Sequence, residues 1–196
     1  FTAVNGTNRN FVARLNADGS LDTTFDPGSG PDGPVFAVAL LPDGSVAVGG
    51  EFESVNGTVC GSIARFSASG VLVPGFGPNL GAGFIGPVFS IGVQQGTNLV
   101  VGGEFTVVDG LGQAHFNLAR VRTNGVVDTS FTATADSYVN DVVVQADGRL
   151  LLGGGFSTVN GLERRNRVAR LNATGTVDAF INFGSGADGD VEAVLV

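Results

Sequence analysis

One phrase occurs four times in this chain, and the repetition limits its fold more than any other feature. A phenylalanine follows paired glycines in "VAVGGEFESVNG", "VVGGEFTVVDG" and "LLGGGFSTVNG", and the chain opens on the end of the same phrase in "FTAVNG". These phenylalanines, Phe1, Phe52, Phe105 and Phe156, stand 51, 53 and 51 residues apart. Behind each comes an Asn-Gly or Asp-Gly pair (Asn5-Gly6, Asn56-Gly57, Asp109-Gly110, Asn160-Gly161), then "VARLNADG", "IARFSASG", "LARVRTNG" and "VARLNATG". A fixed period of this length marks a repeat architecture, in which each unit buries its apolar faces against its neighbours. Residues 1–196 therefore read as one array, with units of approximately 1–51, 52–104, 105–155 and 156–196, the last lacking its second strand.

Within a unit the pattern gives four short strands, "PVFAVALL", "SVAVGGEF", "SIARFS" and "VLVPGF", separated by Asp43-Gly44, Asn56-Gly57 and Ser69-Gly70. Asn-Gly and Asp-Gly tolerate the positive φ of tight hairpins, so consecutive strands are expected to pair antiparallel. No segment sustains a 3.6-residue apolar period, and 32 glycines oppose helix throughout. The fold class expected is all-β: a β-propeller of four-stranded antiparallel blades of about 51–53 residues, numbered from the axis outward and forming a segment of a longer array. The nearly continuous apolar character of strands one and two suggests inner strands covered on both faces, with strand four as the outer edge.

Composition narrows the partners. All ten basic residues are arginine against 18 acids, a formal net charge of -8, so nucleic acid is an unexpected partner. No apolar run reaches the ~18 residues of a membrane span, so insertion is not expected. The single cysteine, Cys60, permits no disulfide within the chain. His115 is the only histidine and lysine is absent, so a catalytic triad and a zinc-hydrolase helix lack their parts; no catalytic residue, metal or cofactor is expected.

The recurrent motifs read first as architecture. The diglycines Gly49-Gly50, Gly102-Gly103 and Gly153-Gly154 lead into Phe52, Phe105 and Phe156 and a hairpin; a phosphate cradle would lead into a helix, so close backbone approach between blades or a bulge is expected. "NADGSLD" spaces oxygens somewhat like a calcium loop but lacks the closing Glu, and its counterparts lose most of the carboxylates, so it reads as a turn. A three-residue loop ending in glycine sets Arg14 opposite Asp22, Arg120 opposite Asp128 and Arg170 opposite Asp178, predicting three cross-strand ion pairs; Arg65 faces Val73 instead. Each unit closes on a further phenylalanine, Phe25, Phe76, Phe131 or Phe180.

One set of positions changes its chemistry from unit to unit. Asp188, Asp190 and Glu192 alternate at the entry to an inner strand, where period-two spacing places them on one face. Their counterparts are Asp32, Pro34 and Phe36, then Pro87 and Phe89, then Tyr138, Asn140 and Asp141. Phe36, Phe89, Asn140, Asp141, Asp190 and Glu192 are accordingly the candidate ligand-binding residues, near a channel mouth.

The unit "VFAVALLPDGSVAVGGEFESVNGTVCGSIARFSASGVLVPGF", echoed by "VNDVVVQADGRLLLGGGFSTVNGLERRNRVARLNATGTVDAF", resembles the bacterial delta-60 repeat, a β-propeller repeat often of unassigned function. Its markers are Asp43-Gly44 and Asp147-Gly148, the diglycine with its phenylalanine, and the "ARLN" strand; Gln95-Gly96 and Val73-Pro74 depart from the pattern. Kelch repeats also end their second strand in diglycine, but a chain without Trp and with Tyr138 alone cannot place the kelch aromatic pair. The resemblance implies a large secreted or envelope-associated bacterial protein. The function expected is a non-enzymatic binding or scaffold module that contacts a protein or glycan; the alternatives are self-assembly through an open strand edge and a carboxylate-dependent hydrolase or lyase at the channel mouth.

Overall fold

The computed structural model describes residues 1–76, 83–94, 98–161, 163–181 and 183–196, so the Gln95-Gly96 turn lies outside the described residues. Among these the chain is all β and contains no helix. A two-residue hairpin comes first, β1 (Ala3–Val4) with β2 (Thr7–Asn8). The first sheet follows in the order β3 (Val35–Leu40), β4 (Val46–Gly50), then β7 (Ile63–Phe66), with a small hairpin of β5 (Ser54–Val55) and β6 (Thr58–Val59) between its last two strands. In the second sheet β8 (Val88–Gln94) pairs with β9 (Asn98–Val108) and β9 with β10 (Ala114–Arg122). The third has the order β11 (Val139–Val144), β12 (Leu150–Gly154), β15 (Val168–Leu171), with a small hairpin of β13 (Thr158–Val159) and β14 (Glu163–Arg164). All pairings are antiparallel, and β3, β8 and β11 lie side by side, so the first strand of each sheet is innermost. This is a propeller segment.

The fourth strand is slighter than its sequence suggests. It pairs by a single bridge per unit, Leu15 with Leu21, Phe66 with Leu72, Val121 with Val127 and Leu171 with Val177. In three units the next residue is an aspartate, Asp22, Asp128 or Asp178, whose carboxylate accepts from the backbone N–H two residues on and turns the chain; in the second unit Val73-Pro74 stands there instead. A second difference concerns coverage. All of β4 is buried, but β3 alternates, exposing Phe36, Val38 and Leu40. A third is the frame of the last unit. Phe25, Phe76 and Phe131 are buried, whereas Phe180 is 95% exposed, because it stands two residues after Asp178 where the others stand three after Asp22, Val73 and Asp128; Ile181 occupies the equivalent place.

Asn5-Gly6, Asn56-Gly57 and Asn160-Gly161 have positive φ at both residues, the conformation of a tight hairpin turn. Asp109-Gly110 differs. The buried Asp109 carboxylate accepts from the N–H groups of Leu111 and Gln113 and closes a longer loop, with Gly112 as its positive-φ residue.

The diglycines do two separate jobs. A Cβ on the first would strike the next blade: Val88 Cγ1 at 2.3 Å from Gly49, Val142 Cγ2 at 2.8 Å from Gly102, Val191 Cγ1 at 2.6 Å from Gly153. A Cβ on the second would strike the blade's own first strand, at the carbonyl of Pro34, Pro87 or Tyr138. One glycine thus sets blade-to-blade distance and the other lets the inner strand kink. Phe52, Phe105 and Phe156 are buried beside them, and the apolar clusters extend between sheets, as where Ala47 and Ile63 pack with Val88, Leu99 and Phe105.

Candidate functional site

Every inner strand is bulged at the same point. The pairing with strand two slips between Val35 and Ala37, between Val88 and Ser90, and between Val139 and Asp141. The residue left over is Phe36, Phe89 or Asn140. A bulge turns its extra side chain out of the ladder, so three unlike residues are presented at equivalent places. Val191 donates its N–H to the Gly154 carbonyl and packs over Gly153, which aligns Glu192 with Asn140 as the fourth member.

These residues meet along the inner end of the blades. The Phe36 and Phe89 rings are 6.0 Å apart. Asn140 Nδ2 donates to Glu192 Oε2 at 3.3 Å and to the Val191 carbonyl at 3.2 Å. Two residues earlier a second row reads Pro34, Pro87, Tyr138 and Asp190, in which the Tyr138 hydroxyl donates to Asp190 Oδ2 and Arg167 Nε approaches Asp190 Oδ1 at 3.4 Å. That carboxylate's hydrogen bond and charge hold the phenol above its usual range. The two early blades therefore contribute rings and proline, and the two later ones an amide, a phenol and two carboxylates.

Asp141 has a different place. Its carboxylate accepts from the Ser90 hydroxyl at 2.9 Å and the Val194 N–H at 3.0 Å, while Ser90 Oγ accepts from the Val142 N–H. It ties β8, β11 and the segment around Val194 together instead of facing outward with Asn140. Asp188 also stands apart, exposed and aligned with Asp32 and Asp136. Asp32 accepts from the N–H groups of Glu53 and Ser54, and Asp136 from those of Ser157 and Thr158. Burial works against ionisation of both, but these donors outweigh it and keep both carboxyls below the usual range.

The arginines lie at the opposite end of the blades. Nε of Arg14 is 2.8 Å from Asp22 Oδ2, that of Arg120 2.9 Å from Asp128 and that of Arg170 2.8 Å from Asp178. Arg14, Arg65 and Arg120 have a further contact that residue spacing does not reveal: Arg14 Nη1 donates to the Ala68 carbonyl, Arg65 Nη1 to that of Thr123, and Arg120 Nη1 to that of Ala173. Each acceptor belongs to the outer turn of the following unit, so the guanidiniums clip successive blades together. Arg14 and Arg120 also lie over the Phe25 and Phe131 rings. Arg65, lacking a partner at Val73, turns to Asp43 and to Ser45 Oγ.

Two further features have no motif in the sequence. His115 Nε2 is 3.2 Å from Asp109 Oδ2 in a buried pair at the tip of the β9–β10 hairpin; only their six-residue spacing across a turn hints at it. Phe11, Ser62, Asn117 and Arg167 occupy equivalent places two residues before each "Ala-Arg" and all have φ between 60° and 65°. In two of them the backbone is held on both sides: the Ser62 N–H donates to the Phe52 carbonyl while the Ser62 carbonyl accepts from the Gly50 N–H, and Arg167 does the same with Phe156 and Gly154. In "NADGSLD" the acids are consumed locally, Asp18 by Ser20 and Asp22 by Thr24 and Arg14.

A family model described as a domain of unknown function (DUF5122), a β-propeller, matches residues 1–25, 41–76, 98–131 and 145–180. A search of curated proteins finds no match.

Proposed function

The chain belongs to the DUF5122 β-propeller family, of delta-60-like repeats, and from that premise we propose a non-enzymatic binding module that meets its ligand at the bulge row. One observation carries the reading. The framework repeats from blade to blade, while the bulge residue is Phe36, Phe89 or Asn140 and the aligned fourth position holds Glu192. A repeated framework whose projecting residues differ in chemistry is suited to recognition. Rings and proline beside carboxylates and an amide suit the apolar face and hydroxyls of a sugar, or an extended peptide with an apolar and a polar side. The two acids support binding over chemistry, since donors from Tyr138, Arg167 and Asn140 already stabilise them as acceptors.

The test is a glycan and peptide array probed with the wild type and with the triple variant Phe36→Ala, Phe89→Ala, Glu192→Gln. Hits lost in a variant of unchanged melting temperature support the reading; hits that survive overturn it. The family resemblance supports a secreted or envelope address in a bacterium, which cell fractionation with an antibody to the repeat would check.

Self-assembly is a second reading, favoured by the exposed face of β3. Val38 is 65% exposed, whereas its counterparts Ile91, Val142 and Val194 each cover the first glycine of a preceding blade. A diglycine strand of another copy could be covered in the same way. Light scattering that shows mass rising with concentration, abolished by Val38→Lys, would support it; a constant monomer mass would reject it.

A further inference from the structure

A cleft of about 580 Å³ opens between the first and second sheets, lined by none of the bulge residues themselves although it reaches Pro87 of the row beside them, with Glu51, Glu53, Ser62, Phe84 and Ile85 in the rest of its lining. The equivalent interfaces explain why it is open. At each, an equivalent backbone bond runs from one sheet to the segment that leads into the next: Phe84 N–H to the Gly61 carbonyl, Ala135 N–H to that of Phe116, and Ala187 N–H to that of Asn166. These bonds make the carbonyls of Phe84, Ala135 and Ala187 equivalent. In the later two interfaces the positive-φ residue donates across to that carbonyl, Asn117 Nδ2 to Ala135 at 3.0 Å and Arg167 Nη1 to Ala187 at 3.2 Å. Ser62 holds the same place with φ 62°, and its side chain is too short to repeat the contact. Among the described residues no side chain donates to the Phe84 carbonyl.

The position filled by a guanidinium in the last interface is thus vacant in the first, and its charge environment is kept. Arg167 is balanced by Asp190, opposite Gly155. In the first interface Pro87 stands at the Asp190 position and Glu51 at the Gly155 position, with Glu53 two residues on, so the negative charge comes from the other wall. Among the described residues neither glutamate carboxylate accepts a hydrogen bond, and both residues are exposed. Ile85 and Val59, 65% and 71% exposed, offer apolar surface to an alkyl stem.

We propose that this cleft receives an arginine side chain from a partner polypeptide. Its guanidinium donates to the Phe84 carbonyl as Arg167 donates to Ala187, pairs with Glu51 and Glu53, and lays its stem along Ile85 and Val59. The planar fork of donors suits a carbonyl flanked by carboxylates better than an ammonium does. The site stands whether or not the bulge row binds a ligand.

Titration of ¹⁵N-labelled protein with acetyl-Gly-Gly-Arg-Gly-Gly-amide, followed by amide chemical shifts, tests the assignment. Saturable shifts are expected at Glu53, Ser62, Ile85 and Gly86. The matched citrulline peptide, and separately the double variant Glu51→Gln, Glu53→Gln, should each weaken binding by about tenfold or more, because each removes the charge-assisted pairing. Ser62→Arg should abolish binding by placing a resident guanidinium in the cleft, as at Arg167. Equal affinity for the citrulline peptide, no saturable shift up to about 10 mM, or loss of binding in Glu192→Gln but not in the Glu51, Glu53 double variant would each overturn the proposal.

Discussion

Nη1 of Arg120 donates to the carbonyl oxygen of Ala173, 2.9 Å away on the next unit, while Nε of the same guanidinium holds Asp128 within its own blade. One side chain therefore couples the cross-strand pair to the blade interface. Lysine offers a point charge in place of this fork, so Arg120→Lys should lower stability by about 1–3 kcal/mol. Arg149→Lys, at an arginine whose side chain is 40% exposed between Asp147 and, 3.6 Å away, Asp178, should cost less, below about 1 kcal/mol. Urea denaturation of both variants checks the contrast.

Gly49 and Val88 should behave as one unit. A Cβ at Gly49 would sit 2.3 Å from Val88 Cγ1, so Gly49→Ala should cost about 1–3 kcal/mol through overpacking. Trimming the facing side chain makes room, so the double variant Gly49→Ala, Val88→Ala should be more stable than the sum of the single losses predicts. A double-mutant cycle reads this directly, and strict additivity would show that the blades do not meet there.

Acid should weaken the fold only below about pH 4. The Asp22 carboxyl is lowered by the Thr24 hydroxyl and N–H and by Arg14, that of Asp178 by the Phe180 N–H and Arg170, and that of Asp109 by the Gln113 N–H and His115, burial opposing each. Burial of Asp128 acts the other way more strongly, yet Ser130 and Arg120 still leave it lowered. A carboxyl lowered in the folded state contributes stability that is complete above its unfolded value of about 3.9 and is lost as pH falls through the folded value. Melting temperature should be level from pH 8 to 5, fall below pH 4, and fall less steeply in Asp128→Asn.

Tyr138 and Gly155 are matched across the sheet. The two preceding blades carry Pro34 and Pro87 at the Tyr138 position and Glu51 and Glu104 at the Gly155 position, whereas here the phenol ring fills the space a side chain would take, 2.3 Å from a Cβ at Gly155. Gly155→Ala should swing the ring out and part it from Asp190. Since Tyr138 is the only tyrosine and Trp is absent, the tyrosinate absorbance titrates it alone. Its pKa should fall toward about 10 both in Gly155→Ala and in Asp190→Asn.

The period, the antiparallel pairing and the partners of Arg14, Arg120 and Arg170 were legible because each rests on local spacing. The role of the diglycines was legible in outline, but its division between Gly49 and Gly50 depends on which chain approaches each. The bulge leaves no signature at Phe36, Phe89 or Asn140, since the room for it is made by a glycine on the neighbouring strand. The crossing from Arg120 to Ala173 is non-local and falls on a carbonyl, a group every residue carries. Phe180 misled by its type: the hydrogen-bond frame counts from Asp178 and puts the half-buried Ile181 at the position equivalent to Phe25 and Phe131.

The most direct test of the central claim, that recognition occurs at the bulge row, is a hydrogen-exchange footprint of the protein bound to whatever hit the glycan and peptide arrays return. The account predicts protection concentrated at residues 34–37, 87–90, 138–141 and 190–193. Protection at the outer turns 16–19, 67–70, 122–125 and 172–175, with the bulge row unchanged, would contradict it.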